Sequence, residues 1–238
     1  MTLSQDGRQL AVSAEAELQI IDTQSGRKTA GLKPHYAQVF GALSPDGQSG
    51  VTWGRDSTNV QIWDVLRSTV VKEPPLHLCN HAAFSPNNRW LVVGNVTEFR
   101  VWDVATWRSR YALTNEASGF YGYSAFSPDS QMLAVGISRT AVQLVETASG
   151  KELAMIEAPE RLVISWIAFD SDGTQLAVAL KTGPIQLWDL RLIRQKLASM
   201  NLDWEMPPYP RKKTNQSPGP PQAPIPNPGT ATNAGMPR

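Results

Sequence analysis

Two short motifs that return together about every 40 residues constrain this chain more than any other feature it has. A turn signature closes a short apolar stretch five times: Leu3-Ser4-Gln5-Asp6-Gly7, Leu43-Ser44-Pro45-Asp46-Gly47, Phe84-Ser85-Pro86-Asn87-Asn88, Phe126-Ser127-Pro128-Asp129-Ser130 and Phe169-Asp170-Ser171-Asp172-Gly173. Their second residues are 40, 41, 42 and 43 residues apart. A second marker follows each turn: Ile20-Ile21-Asp22, Ile62-Trp63-Asp64, Val101-Trp102-Asp103, Leu144-Val145-Glu146 and Leu187-Trp188-Asp189, at intervals of 42, 39, 43 and 43. Two independent markers that keep one period define a repeated structural unit.

Each unit reads as strands. In Ser-Pro-Asp-Gly the proline fixes φ, the aspartate bonds its own backbone and the glycine accepts positive φ, so the motif is a tight turn between two strands. Apolar runs follow it, such as Leu10-Ala11-Val12, Leu91-Val92-Val93, Leu133-Ala134-Val135 and Leu176-Ala177-Val178. They are continuous enough to predict burial on both faces. The third strand carries the second marker, and a fourth follows turns such as Ser25-Gly26-Arg27 and Ser149-Gly150-Lys151. One four-stranded antiparallel sheet cannot cover its own apolar faces, so neighbouring units must stack, and radial stacking gives a β-propeller.

The turn, the Trp-Asp ending and the period resemble the WD-repeat β-propeller family over residues 1–190. The resemblance implies an all-β propeller of five four-stranded blades, near 1–32, 33–74, 75–114, 115–158 and 159–189, with the first and last incomplete. It also implies structural roles for Trp63, Asp64, Trp102, Asp103, Trp188 and Asp189. The family's buried tryptophan joins a set with a serine or threonine, a histidine and an aspartate. Here Ile21 and Val145 replace the tryptophan in two repeats, and only His35 lies near the expected Gly-His turn.

After the last marker Leu190, Ile193, Leu197 and Met200 recur at helical spacing with Asp189 placed as N-cap, which predicts an amphipathic helix ending near Asn201. Residues 202–210 carry Trp204 and Tyr209 and are expected to dock, so 190–210 forms a helix and docking segment. The segment from 187 to 210 is similar to the end of the WD-repeat region of large bacterial multidomain proteins, many with a serine/threonine kinase domain upstream. Strand counting gives about 18 strands, with an inner strand missing from the first unit and an outer one from the last, which leaves unpaired edges. That predicts an open arc, or a fragment of a longer propeller, that self-associates.

Ten of the 18 prolines lie within residues 207–238, and no aromatic residue follows Tyr209. Such a segment buries too little to offset its ordering entropy, so 211–238 is expected to be a disordered tail, with Pro221 to Pro224 as its one P-x-x-P match. Arg211, Lys212, Lys213 and Arg238 lie in that acid-free tail, leaving residues 1–210 with 18 basic and 21 acidic side chains. A mildly acidic body lacks the basic stripe of a nucleic-acid binder. No apolar run is long enough to span a membrane and no signal peptide opens the chain, so a cytoplasmic protein without membrane insertion is expected. The single cysteine, Cys79, excludes an internal disulfide and a cysteine-rich zinc site.

No catalytic, cofactor or metal residues emerge. His77, Cys79 and His81 alternate and would share one face of a strand, but no fourth ligand accompanies them. Ser149-Gly150-Lys151 lacks the rest of a phosphate loop and recurs as Ser25-Gly26-Arg27, which marks it as a hairpin turn. A non-enzymatic scaffold that binds other proteins or peptides is therefore expected. The resemblance adds an alternative, the sensor or regulatory propeller of a bacterial signalling enzyme such as a serine/threonine kinase encoded upstream. Partners of WD-repeat propellers mostly meet the loops between second and third strands and those between blades. On those loops lie Trp53, Arg55, Asn95, Arg139 and Lys181, and Tyr36, His77, Tyr121 and Arg161, aromatic and arginine types that interfaces favour.

Overall fold

The computed structural model describes residues 1–14, 16–35, 39–54, 59–115, 123–158, 162–204, 206, 207 and 209. Among them are five antiparallel sheets that follow one another along the chain. The first holds β1 (Thr2–Leu3), β2 (Gln9–Ala14), β3 (Glu17–Asp22) and β4 (Lys28–Leu32). The second holds β5 (Phe40–Leu43), β6 (Ser49–Trp53), β7 (Gln61–Asp64) and β8 (Thr69–Lys72). The third is β9 (His81–Phe84), β10 (Trp90–Gly94), β11 (Glu98–Asp103) and β12 (Arg108–Thr114), and the fourth β13 (Ser124–Phe126), β14 (Met132–Gly136), β15 (Ala141–Glu146) and β16 (Glu152–Glu157). The fifth has three strands, β17 (Ile164–Phe169), β18 (Gln175–Leu180) and β19 (Gln186–Asp189), after which the chain enters helix α1 (Leu190–Ser199).

The first sheet departs from the strand count read from the sequence. Its inner strand is present, because two residues suffice to pair Thr2 with Ala11 and Leu3 with Leu10. The Thr2 hydroxyl also accepts the Leu43 N–H at 3.0 Å, tying that short strand to the second sheet.

The turn signatures act through side chains. Ser44 donates to Asp46 at 2.6 Å and accepts from the Ser49 N–H, and Asp46 accepts from the Gln48 N–H, so the proline-centred turn is closed twice over. Ser4, Ser85 and Ser127 repeat the arrangement with Asp6, Asn87 and Asp129. In the fifth turn Asp170 replaces the serine and accepts the Gln175 N–H at 2.9 Å. The turns also touch in succession. The Gln5 N–H donates to the Pro45 carbonyl at 2.7 Å, the Asp46 N–H to the Asn88 side chain at 3.0 Å, and the Asn87 N–H to the Ser130 hydroxyl at 3.0 Å. Asn88 and Ser130 occupy the positive-φ place that Gly47 and Gly173 fill in other turns, and their side chains repay that backbone strain with a bond to the preceding turn.

First strands of successive sheets lie side by side, β1 on β5, β5 on β9, β9 on β13 and β13 on β17. Their outer strands meet face to face. Ala11, Leu18, Ile20 and Leu32 pack on Leu43, Trp63 and Val65 between the first two sheets. Val51, Ile62 and Val60 meet Leu91, Val93 and Trp102 between the next two, and Val92, Phe99 and Val101 meet Leu133, Val135 and Val145 between the third and fourth. Trp63, Trp102 and Trp188 are all buried. The Trp63 indole donates to Thr52 at 2.8 Å, whereas Trp102 Nε1 has no partner because Val93 stands where Thr52 would.

Burial on both faces of the second strand, expected for every unit, holds for β10 and β14. In the terminal sheets, each with a neighbouring sheet on one side only, β18 alternates buried and half-buried residues and β2 buries Ala11 alone.

Helix α1 starts where the sequence places it. Asp189 caps it by accepting the Leu192 N–H at 3.1 Å. Buried Arg194 then reaches back over the following segment, bonding Asp203 at 2.9 and 3.0 Å, the Trp204 carbonyl at 3.2 Å and the Met206 carbonyl at 2.8 Å, with its guanidinium 5.2 Å from the Trp204 ring. Among the described residues no helix is long and apolar enough to cross a membrane. The stretch 211–238, expected as a tail, lies outside the described residues.

Candidate functional site

Strand direction sorts the connections onto two ends. The turn signatures and the turns after each second marker lie at one end; the loops joining second to third strands, and the links between sheets, lie at the other. Just inside that loop end, the register of the first strands produces a row of rings. Phe40 pairs with Trp53, His81 with Gly94 and Trp166 with Ala179, and the Tyr123 carbonyl accepts the Gly136 N–H. Each ring residue stands four places before the first side-chain ligand of its turn: Ser44, Ser85, Ser127 and Asp170. Four sheets therefore each contribute one ring at one structural position.

Three of the rings pack on one another from sheet to sheet, and the fourth, Phe40, packs within its own sheet. His81 meets Tyr123 edge-on at 6.1 Å, Tyr123 meets Trp166 at 5.1 Å, and His81 meets Trp166 at 6.4 Å. Phe40 stacks on Trp53 at 6.2 Å. At the two ends of the row rings open to solvent, Phe40 at 43% and Trp166 at 55% exposure.

His81 is held in the row as a neutral donor. Its Nε2 lies 3.1 Å from the Ser124 carbonyl, which can only accept, and burial among the rings pushes its pKa down to about 4. The Asn80 side-chain oxygen and the Ser124 hydroxyl, on the residues beside His81 and Tyr123, are buried without a hydrogen-bond partner. Aromatic faces for contact, with scattered polar groups to orient what binds, are the makings of a recognition surface.

The loop residues singled out in the sequence divide. His77, Arg139 and Lys181 are exposed on loops at the same end as the ring row. Trp53 is buried under Phe40. Asn95 is buried as well, its carboxamide oxygen accepting from the N–H groups of Thr97 and Glu98 and so shaping the loop. Tyr36, Arg55, Tyr121 and Arg161 lie outside the described residues. Reading loops for aromatic and basic residues missed Phe40, Tyr123 and Trp166. The signal for them was present as a ring four residues ahead of the first ligand of each of the last four turns.

Asp64 and Asp103 hold turns at the opposite end. The Arg67 N–H, then its guanidinium at 2.6 Å, keeps the Asp64 carboxyl below the ordinary carboxylate range. Thr106 does the same for Asp103, through its hydroxyl first.

The alternating trio is not a strand. His77 and Cys79 lie in the link before β9, Leu78 between them has φ +55°, and Cys79 is buried with its thiol 3.5 Å from the His81 carbonyl. Burial pushes that thiol up to about 12, far from a reactive thiolate. Among the described residues no three His, Cys, Asp or Glu side chains converge on a metal-sized site. No protein-family model matches the chain, and no curated protein matches it.

Proposed function

We propose that this chain is a non-catalytic protein-interaction scaffold whose five sheets are consecutive blades of a WD-repeat β-propeller, and that the ring row is where a partner docks. The observation that carries the reading is the register: one ring per sheet, in four successive sheets, with the terminal ones left exposed. Core packing alone would bury such side chains. The exposed Arg139 and Lys181 beside the row supply the polar rim that protein interfaces combine with an aromatic centre. The stacked sheets act as a rigid frame, held at the other end by the linked turns, so the rings are preorganised and binding costs little ordering.

Selection of peptides from a displayed random library against the folded chain tests this. Ligands are expected whose affinity falls about 30-fold or more on Trp166→Ala or Phe40→Ala, the loss typical of an aromatic hot spot. Leu66→Ala, at the turn end, should leave them unaffected. Failure to select any ligand, or ligands indifferent to both ring substitutions, would refute the assignment.

A further inference from the structure

The five sheets share one packing rule, and it leaves two faces unmatched. The residue pair that looks toward the following sheet is Ala11 with Ile20, Val51 with Ile62, Val92 with Val101 and Ala134 with Leu144, and all eight side chains are fully buried. The same register in the fifth sheet gives Ala177 with Leu187, and Leu187 is 65% exposed. Ile185 beside it is exposed too, so α1 and the segment clamped by Arg194 leave this face open.

The reverse holds at the other terminus. The pairs that look back toward a preceding sheet are Gly50 with Trp63, Leu91 with Trp102, Leu133 with Val145 and Leu176 with Trp188, all buried. Their counterpart in the first sheet is Leu10 with Ile21, both half-exposed. Leu3 stands where Leu43 does in the second sheet, and it is 55% exposed while Leu43 is buried. The fifth-sheet row is apolar through Ile185 and Leu187 and ends at Asp189, while on the first sheet Leu3, Leu10 and Ile21 are followed across β4 by Lys28, whose charge is paired with Glu17 at 2.6 Å.

From this we infer that a second copy of the chain covers these faces, the fifth sheet of one copy packing on the first sheet of the next. The faces are the two halves of the contact that the chain already makes between its own sheets. Ala11 and Ile20 meet Leu43 and Trp63 in the way Ala177 and Leu187 of one copy would meet Leu3 and Ile21 of another. A single chain thus carries both complementary surfaces. The contact is heterologous, because different faces meet, so association proceeds head to tail rather than about a two-fold axis through one patch. Burying exposed leucine and isoleucine side chains drives it.

Sedimentation velocity on the full chain over a wide concentration range tests this inference. The wild type should exceed monomer mass increasingly with concentration. Leu187→Glu spoils one face and Leu3→Glu the other, both at solvent-open positions, and each variant alone should stay monomeric. Mixed in equal amounts the two should form a complex of twice the monomer mass, since each retains the face the other lacks. A wild type that is monomeric throughout, or a mixture that remains monomeric, overturns the inference. Association removed by only one of the two substitutions overturns it as well, because it would reveal a single self-complementary patch. Leu187→Lys and Leu3→Lys replace any Glu variant whose circular dichroism departs from wild type. Trp166 pairs with Ala179 on the same face as Ala177 and Leu187, so these masses are measured without peptide, and peptide binding at the ring row is tested on the Leu3→Glu variant, which keeps that face free.

Discussion

Replacing Arg194 by methionine isolates the clamp that holds the chain after α1. Methionine keeps most of the apolar stem while removing the guanidinium, and with it the two bonds to Asp203, those to the Trp204 and Met206 carbonyls, and the charge over the Trp204 ring. Breaking a buried charge pair costs about 3–5 kcal/mol. The Asp203 side chain is 32% exposed and rehydrates in part, so about 2–4 kcal/mol is expected for Arg194→Met. That figure has a ceiling: if residues 202–206 undock by themselves, global unfolding loses no more than the free energy of docking. Urea denaturation measures the global part, and hydrogen exchange of the 202–206 amides detects local release. Arg194→Lys should fall between, since an ammonium cannot reproduce the fork to the carboxylate. The Arg194 hydrogen bond is also the main cause that holds the Asp203 carboxyl below its ordinary value. Its stabilisation is therefore complete above the unfolded carboxylate value, about pH 4, and is lost as pH falls through the lower folded value. The gap between wild type and Arg194→Met should narrow in that acid window. A variant within about 0.5 kcal/mol of wild type, with unchanged exchange at 202–206, would refute the clamp.

Two further outcomes follow from single buried groups. Thr52→Val removes the acceptor of the Trp63 indole and should cost about 1–3 kcal/mol, whereas Val93→Thr offers the unpartnered Trp102 Nε1 an acceptor at the equivalent position and should be close to neutral; equal losses in chemical denaturation would show that the two sites are not equivalent. Burial lowers the His81 pKa from 6.5 to about 4, so the unfolded chain binds more protons between those values and stability must fall as pH drops through that window. Relative to His81→Gln, the wild type should lose at most about 3 kcal/mol between pH 7 and pH 4, less to the extent that the ring meets solvent, and a pH-independent difference would place the imidazole in water.

What the sequence disclosed is what local chemistry determines. The Ser-Pro-Asp-Gly turns are legible because Ser44 and Asp46 act on backbone within five residues of themselves. The Asn88 and Ser130 bonds to preceding turns were not, since their partners lie 42 and 43 residues away and nothing local announces them. The ring row escaped for a different reason. Phe40, His81, Tyr123 and Trp166 share a position but no identity, and a search keyed to Ser-Pro and Trp-Asp aligns residues by name rather than by chemical kind. Exposure misled in the opposite direction at Trp53 and Asn95. Both lie where a strand gives way to a loop, and pairing with Phe40 or capping of the loop turns them inward.

The second marker shows how one repeated position can lead to two different structures. After Asp22, Asp103 and Glu146 the chain makes the first bond of a helix, from the N–H four residues on to the marker's carbonyl, at 2.8, 2.7 and 2.8 Å. Asp22, Asp64 and Asp103 accept the N–H three residues on, the bond that an N-cap makes. That start ends at once, because the fourth residue after the marker is left-handed in all four sheets: Gly26, Ser68, Trp107 and Gly150 have φ of +67°, +52°, +51° and +75°. The chain is thereby turned back into a fourth strand. In the fifth sheet the corresponding residue is Ile193, whose branched Cβ makes that conformation most costly. The helical start propagates instead, and α1 takes the place of a fourth strand. The β-branched Ile193 disfavours the return into a fourth strand and the helical spacing of Leu190, Ile193 and Leu197 favours α1, so the terminal sheet has three strands, its third pairs on one side only, and the chain leaves that sheet at its turn end with Leu187 uncovered.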